Sequence, residues 1–138
     1  MLILDYGTAL TFDYISKKGI FEGGLIIPGP AVSLEALCTK AALLPKVEFP
    51  HRKMGGRHPF PLIGRDTSTG LRAGILQGYG ALTDGLVKKF HRSYDPKIRV
   101  IATGGFAPAI FPYTRMVDKL DPLLTLKSLV EVYRDFCS

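Results

Sequence analysis

The sequence predicts an α/β fold in which helices pack against a mixed β-sheet. Three observations indicate this class. Residues 2–27 hold three β-type runs joined by short turns, which is typical of an antiparallel meander. A long segment with helical apolar spacing fills the middle of the chain, and a short apolar strand and a last amphipathic segment follow it. Strands in series followed by alternating helices and strands favour one sheet with helices packed on it.

Length and composition indicate a folded domain with its own core. The 138 residues are 46% hydrophobic and 22% charged, which excludes disordered and fibrous classes. The two cysteines are too few for a disulfide scaffold or a cysteine-rich zinc module. The chain shows no signal peptide pattern and no run of the roughly 20 apolar residues that a membrane helix needs, so we expect a cytoplasmic protein without membrane contact.

The net charge of +6 favours anionic partners. The basic residues are scattered or lie in two short clusters, residues 51–58 and 88–92, without interleaved aromatic side chains. We therefore expect a solvated basic surface and no nucleic-acid binding.

The first elements follow from local pattern. Residues 2–6 form an apolar run that ends at Gly7, residues 9–16 alternate between apolar and polar, and residues 20–27 continue to a Pro-Gly-Pro stop. A helix over residues 31–43 should follow, with Ser33 as its N-cap and Cys38 in the core. Residues 46–61 are rich in proline and glycine and predict a surface loop.

The strongest periodicity predicts a helix over residues 67–94, capped by Asp66 or Thr67. The apolar positions that should form its buried face are Leu71, Ile75, Tyr79, Leu82, Leu86 and Phe90. A second line consists of small residues, which are Gly70, Gly74, Gly78, Ala81 and Gly85. Each glycine inside a helix costs about 1 kcal/mol relative to alanine, so the line indicates close approach of another backbone. That backbone belongs either to the domain's own sheet or to the same helix of a second copy.

The remaining elements are shorter. Residues 99–103 predict a buried strand, residues 108–111 a short helix and residues 116–119 a last strand. A final helix should run over residues 125–136, with Thr125 as its N-cap.

Three segments hold residues suited to binding an anion. Residues 5–8 (Asp-Tyr-Gly-Thr) place a glycine and a hydroxyl at a strand end, with a carboxylate suited to a cation. Residues 102–105 (Ala-Thr-Gly-Gly) end a buried strand, and residues 64–67 open the long helix. Each segment also has a purely structural interpretation. Residues 5–8 could form a hairpin turn, residues 102–105 a strand-to-helix turn and residues 64–67 a helix cap. The histidines show no metal-ligand spacing.

Together these segments occur in the order found in type III pantothenate kinases, which the chain resembles over nearly its whole length. The segments that carry the resemblance are Asp5–Asp13 (D-x-G-T-A-x-T-x-D), Gly23–Gly29, Ser33–Leu37, Leu44–Pro45, Gly64–Thr67, Gly78–Tyr79, Asp84–Val87, Val100–Pro108 and Asp121–Leu126. The resemblance implies one ribonuclease-H-like half of the actin/hexokinase/Hsp70 ATPase superfamily, in which two such halves enclose a nucleotide. The implied activity is transfer of the ATP γ-phosphoryl group to pantothenate, the first step of coenzyme A biosynthesis.

The resemblance also implies roles for individual residues. Asp5 would bind a monovalent cation, K⁺ or NH₄⁺, and Gly7 and Thr8 would contact ATP phosphate. Gly104 and Gly105 would line the adenine and ribose side, and Mg²⁺ would accompany the nucleotide.

Thr67 would contact pantothenate across a homodimer, which favours the dimer interpretation of the glycine line in helix 67–94.

One half of the expected machinery is absent from this sequence. Complete members of the family carry D-x-G-N-T and G-x-D-R motifs in their N-terminal half, and the second motif holds the proposed general base; neither is present here. The chain matches the C-terminal half, so we expect no catalytic residue and no kinase activity in it alone. A separate N-terminal half is one possible partner. The alternative is a non-catalytic dimeric remnant or a regulatory interaction module on the same scaffold.

Overall fold

A computed structural model describes residues 1–50 and 60–137, and it contains one five-stranded sheet. The strands are β1 (Leu2–Tyr6), β2 (Ala9–Ile15), β3 (Phe21–Pro28), β4 (Val100–Thr103) and β5 (Lys119–Leu120). Their order across the sheet is β3-β2-β1-β4-β5. The first three strands pair antiparallel, and β4 and β5 pair parallel to β1. The predicted mixed sheet is confirmed.

Four helices and one 3-10 turn complete the described part. They are α1 (Pro30–Lys40), α2 (Thr67–Ser93), α3 (Ala107–Ile110), a 3-10 turn (Phe111–Tyr113) and α4 (Leu124–Cys137). Asp66 caps α2, because its carboxylate accepts from Thr69 N at 2.9 Å while the Thr69 hydroxyl accepts from Asp66 N at 3.2 Å.

Two predicted caps are wrong. Gly29, followed by Pro30, is the N-cap of α1, so the helix begins three residues before the predicted cap. Ser33 lies inside α1 and its hydroxyl bonds to the Tyr79 hydroxyl instead. Thr125 lies inside α4, which begins at Leu124.

The main core lies between one face of the sheet and the helices α1, α2 and α3. Every second residue of β1 is buried, and the buried side chains that the strands contribute are Leu2, Leu4, Tyr6, Leu10, Phe12, Val100 and Ala102. This period-two pattern is that of strands covered on one face. The opposite face, which carries Ile3, Asp5 and Thr11, is half-buried.

The buried face of α2 is not the predicted one. Its buried positions are Ala73, Leu76, Tyr79, Gly80, Thr83, Val87 and Phe90. The predicted stripe shares only Tyr79 and Phe90 with this set, and Leu71, Ile75, Leu82 and Leu86 are half-buried flanks of the core. Small residues lie at the centre of this buried face of α2. Gly80 is needed there because a Cβ at this position would lie 2.7 Å from the Tyr113 Cβ in the 3-10 turn.

The glycine line of α2 does not face the sheet. A Cβ added at Gly70, Gly74, Gly78 or Gly85 would meet nothing within 4 Å. The interpretation that these glycines pack onto the domain's own sheet is therefore wrong.

Three further expectations need correction or limitation. The predicted strand at residues 116–119 is displaced to β5, Lys119–Leu120. Cys38 is half-buried at the edge of the core rather than inside it. In the predicted loop 46–61, residues 46–50, 60 and 61 lie outside helices and strands, as expected. Residues 51–59, with the basic cluster 51–58, lie outside the described residues.

Candidate functional site

The β1–β2 turn lies at the carboxyl end of β1 and holds two of the predicted site residues. Gly7 N donates to Ala9 O at 2.9 Å, which closes the turn, and the side chain of Thr8 is exposed. Gly29 N donates to Thr8 O at 2.8 Å, so the end of β3 is tied to this turn. The turn is therefore held from two sides, with an exposed hydroxyl at its tip.

Gly104 brings a second predicted segment against the first. Its φ of +94° lies in the region that favours glycine. A Cβ at Gly104 would overlap Asp5 Oδ1 and lie 2.6 Å from Tyr6 N. Phe106 N also donates to Tyr6 O at 3.0 Å. The parallel strands β1 and β4 thus end side by side, and the Asp5–Thr8 and Thr103–Gly105 segments form one cluster.

Gly29 completes this cluster, although the sequence predicted it only as a strand stop. A Cβ on Gly29 would lie 2.5 Å from Thr8 O and overlap Gly7 O. The backbone of Gly29 is extended, so the need for glycine comes from the contact with Gly7 and Thr8, and no local sequence signal could have found it. Three glycine-bearing segments therefore meet around the end of β1, where the missing side chains let their backbones pack against one another.

Asp5 is the charged group of the cluster. Burial, and secondarily the nearby Asp13 carboxylate, raise the pKa of the Asp5 carboxyl. Asp13 itself accepts a hydrogen bond from the Thr11 hydroxyl at 2.8 Å. None of the ion pairs found among the described residues involves Asp5. Within residues 1–50 and 60–137 its negative charge is therefore not paired with a cationic side chain, and a bound cation would favour the ionised form.

Thr103 supplies a buried hydroxyl beside Asp5. The two residues are partners in the parallel β1–β4 pairing, so their side chains lie on the same face of the sheet. Thr103 is 2% exposed, and its Oγ1 has no hydrogen-bond partner within the described part of the chain. Since buried polar atoms are nearly always satisfied, this oxygen fits a ligand or cation at the site. A carboxylate and a hydroxyl oxygen are ligands that hard cations prefer.

Helix α2 supports the cluster from the core side. The Tyr6 and Thr83 hydroxyls lie 2.6 Å apart, and burial raises the pKa of Tyr6 to about 12. The Tyr79 hydroxyl donates to Pro28 O at 2.6 Å and lies 2.7 Å from Ser33 Oγ. These contacts fix the ends of β1 and β3 relative to α2.

Thr67 is not part of this cluster within one chain. It is the first residue of α2 and precedes Tyr79 by twelve positions, which is about 18 Å along a helix. An open groove of about 780 Å³ lies at this end of α2 and is lined by residues 61–66 and Thr69. The structure therefore brings together two of the three predicted segments and leaves the third at a distance.

Within residues 1–50 and 60–137, no three His, Cys, Asp or Glu side chains are grouped closely enough to hold a metal ion. No helix there combines the length and apolar character that crossing a membrane requires.

The comparisons with known proteins agree with each other. The family model for type III pantothenate kinase matches residues 1–89. A relative of that name from Syntrophus aciditrophicus is 41% identical over 133 residues, covering 96% of this chain and 50% of the relative. Another from Phenylobacterium zucineum is 40% identical over 134 residues, covering 97% and 49%. The chain thus spans about half the length of these curated relatives.

A solved structure shows the same fold. It is described as a Baf family transcriptional activator from Campylobacter jejuni and is 21% identical, with a TM-score of 0.58. The match covers 97% of this chain and 57% of that one.

Proposed function

Because the chain belongs to the type III pantothenate kinase family, we propose that it takes part in ATP-dependent phosphorylation of pantothenate, the first step of coenzyme A biosynthesis. It would do so in the cytoplasm, as the C-terminal, ribonuclease-H-like half of an actin/hexokinase/Hsp70-type ATPase, with residues 1–138 forming one domain. The observation that carries the proposal is the convergence of Gly7, Gly29 and Gly104 at the end of β1, where Asp5 lies beside Gly7 and Gly104.

The cluster suits one side of a nucleotide. Gly7 and the exposed Thr8 hydroxyl would contact the ATP phosphates, and Mg²⁺ would arrive with the nucleotide. Gly104 and Gly105 would lie along the adenine and ribose. Phosphoryl transfer depends mainly on positioning and on stabilising charge, which close backbone approach and a fixed turn provide.

Asp5 would hold a monovalent cation, K⁺ or NH₄⁺. The raised pKa of its carboxyl and the buried, unpartnered Thr103 hydroxyl beside it support this role. The cation would supply positive charge near the phosphates. Asp5 would hold the cation in position by coordinating it through a carboxylate oxygen.

The missing side of the cleft limits what this chain does by itself. The family's general base belongs to the other half, so we assign no catalytic residue here and expect no turnover by the isolated chain. An open site leaves the triphosphate in water, where charge stabilisation is weak. A separate N-terminal half is a possible partner.

Homodimerisation through α2 would account for two observations. The exposed glycine line leaves room for a second helix to approach closely. Thr67, about 18 Å from Tyr79, would then reach pantothenate in the partner's site rather than its own. Light scattering should give a dimer for the wild type and a larger monomer fraction for Gly78→Leu. Thr39→Leu, at an exposed position of α1, is the control. A wild-type monomer at all concentrations would contradict the dimer.

One alternative is a non-catalytic dimeric remnant or a regulatory interaction module on the same scaffold. Such a protein would keep the dimer and lose phosphorylation even when the missing half is supplied.

The test uses a fusion in which this chain replaces its matching part in the Syntrophus aciditrophicus relative. We expect the fusion to phosphorylate pantothenate with ATP. Thr8→Val should lower kcat about 100-fold or more, the usual cost of losing a donor to transition-state charge. Thr39→Val is the matched control and should leave kcat unchanged. Asp5→Asn should raise the K⁺ concentration needed for half-maximal rate. A fusion that folds but never phosphorylates pantothenate would favour the non-catalytic alternative.

A further inference from the structure

Tyr79 lies in the buried face of α2 and extends its hydroxyl to the end of β3. The residue is 8% exposed, and its side chain belongs to the core. The hydroxyl donates to Pro28 O at 2.6 Å and lies 2.7 Å from Ser33 Oγ. A tyrosine hydroxyl has one proton and a carbonyl oxygen can only accept, so the Ser33 hydroxyl is the donor in the second contact. The tyrosine oxygen is therefore held by two hydrogen bonds.

The peptide group between Pro28 and Gly29 connects this hydroxyl to the β1–β2 turn. The peptide is trans, so its C=O and its N–H point in opposite directions. The C=O accepts from the Tyr79 hydroxyl, and the N–H donates to Thr8 O at 2.8 Å. One planar group thus bonds α2 on one side and the turn on the other.

The same peptide has little freedom to reorient. Pro28 is paired with Ala9 in the antiparallel β2–β3 ladder, and Gly29 O accepts the first backbone hydrogen bond of α1. Gly29 is buried, and its Cα packs so closely on the Thr8 carbonyl that a Cβ would not fit. Hydrogen bonds at opposite ends of one peptide also polarise each other, so each strengthens the other. Loss of the Tyr79 hydroxyl should therefore loosen the backbone of Thr8.

We propose that Tyr79 is a positioning residue for the β1–β2 turn, an inference that rests on the proposed function. In that function the turn supplies Gly7 and the Thr8 hydroxyl to the ATP phosphates. The Tyr79 hydroxyl acts from the core side, through the Pro28–Gly29 peptide. Because a small displacement of a binding group costs a large factor in rate, a turn that is held from the core supports phosphoryl transfer.

Amide hydrogen exchange on the 138-residue chain tests the positioning without an assay of activity. Tyr79→Phe keeps the aromatic ring and removes the hydroxyl. We expect exchange of the Gly29 amide, which is bonded to Thr8, to accelerate at least about tenfold. The reference amide is that of Asp121, which donates to Ala102 O at 2.8 Å near the other edge of the sheet and should keep its rate.

Two further variants separate positioning from a general loss of stability. Leu76→Ala empties a buried position of the same helix and leaves the Tyr79 hydroxyl in place. It should change the exchange of the Gly29 and Asp121 amides by one common factor. Ser33→Ala removes one of the two hydrogen bonds of the tyrosine oxygen and keeps the bond to the carbonyl. It should therefore accelerate the Gly29 amide less than Tyr79→Phe does.

Two exchange results would overturn the proposal. One is an unchanged Gly29 amide in a folded Tyr79→Phe chain, and the other is acceleration of the Gly29 and Asp121 amides by one common factor. If Tyr79→Phe does not fold, Ser33→Ala decides. Acceleration confined to Gly29 in that variant supports the proposal, and its absence contradicts it.

Kinetics of the fusion described above test the link to ATP. Tyr79→Phe should lower kcat/KM for ATP about tenfold and leave the KM for pantothenate within about twofold of its original value. In a Thr8→Val background the same change should cost less than about threefold, because the effects of residues that act through one another are not additive. Equal losses in both backgrounds are the result of a merely structural role and would contradict positioning through Thr8.

The two measurements separate this proposal from the proposed function. Accelerated exchange confined to Gly29, with a fusion that never phosphorylates pantothenate, would contradict the kinase function and keep Tyr79 as the residue that holds the turn. Phosphorylation by a Tyr79→Phe fusion with unchanged kcat/KM for ATP would contradict the positioning role alone.

Discussion

Helices α2 and α4 are the two most periodic segments of the chain, and they end in opposite environments. The strongly amphipathic α4 has an exposed apolar face, with Phe136 83% exposed. The longer α2 is buried against the sheet through a face that includes Val87 at 0% exposure and small residues such as Gly80. Amphipathicity therefore shows that a face is to be covered, but not which surface covers it.

The largest expected difference between the two helices is in stability. Leu76→Ala in α2 empties a site that is 3% exposed and should lower the free energy of unfolding by about 2–5 kcal/mol. Leu129→Ala in α4, at 59% exposure, should change it by less than about 0.5 kcal/mol in the isolated chain. Urea denaturation of both variants measures the difference. Equal losses would show that α4 is packed within this chain.

Alanine substitutions at two glycines of α2 should change the free energy of unfolding in opposite directions. Gly80→Ala forces a Cβ against Tyr113 and should cost about 1–3 kcal/mol. Gly74→Ala places a Cβ in space that is open within one chain and should stabilise the monomer by up to about 1 kcal/mol through helix propensity. Thermal unfolding of the two variants side by side is the measurement. A stabilising Gly80→Ala would mean that α2 does not contact the 3-10 turn as described.

The hydrogen bond between Tyr6 and Thr83 should also contribute to the stability of the α2 contact. Tyr6→Phe leaves the Thr83 hydroxyl buried without its partner and should cost about 1–3 kcal/mol. The double variant Tyr6→Phe, Thr83→Val is the matched control, because removing both polar groups should recover part of that loss. A double variant no more stable than Tyr6→Phe would contradict this account.

The raised pKa of Tyr6 predicts that the stability of the fold depends on pH. Burial raises its pKa from 10.0 to about 12, so the folded state keeps a proton that the unfolded state loses. The stability that this proton provides is complete below pH 10 and is lost as the pH rises towards 12, at up to roughly 1.4 kcal/mol per pH unit. Urea midpoints between pH 9 and 12 should fall more steeply for the wild type than for Tyr6→Phe. Parallel slopes would contradict a buried, neutral Tyr6.

Much of the fold was predictable because strands and turns have local signatures. The bounds of β1 were predicted correctly, and Asp66 was one of the two predicted caps of α2. The face of α2 was not predictable from its large apolar residues, because Ala73, Gly80 and Thr83 occupy the tightest part of the contact. Thr83 and Gly80 are buried because they contact Tyr6 and Tyr113, which are distant from α2 in sequence.

The cluster at the end of β1 was predictable where its residues form a local pattern. The Asp5–Thr8 and Thr103–Gly105 segments were both recognised, since glycine, hydroxyl and carboxylate at strand ends form a local pattern. Gly29 was missed because its role appears only when the end of β3 contacts the β1–β2 turn. Roles in binding ATP, cation and pantothenate remain predictions for the experiments above.

The central claim is that this chain provides one side of a two-sided ATP cleft. Its most direct test measures ATP-dependent phosphorylation of pantothenate by the purified 138-residue chain alone and by the fusion, at equal concentrations and in the presence of K⁺ and Mg²⁺. The claim predicts no product above background from the isolated chain and steady turnover from the fusion. Turnover by the isolated chain would contradict it.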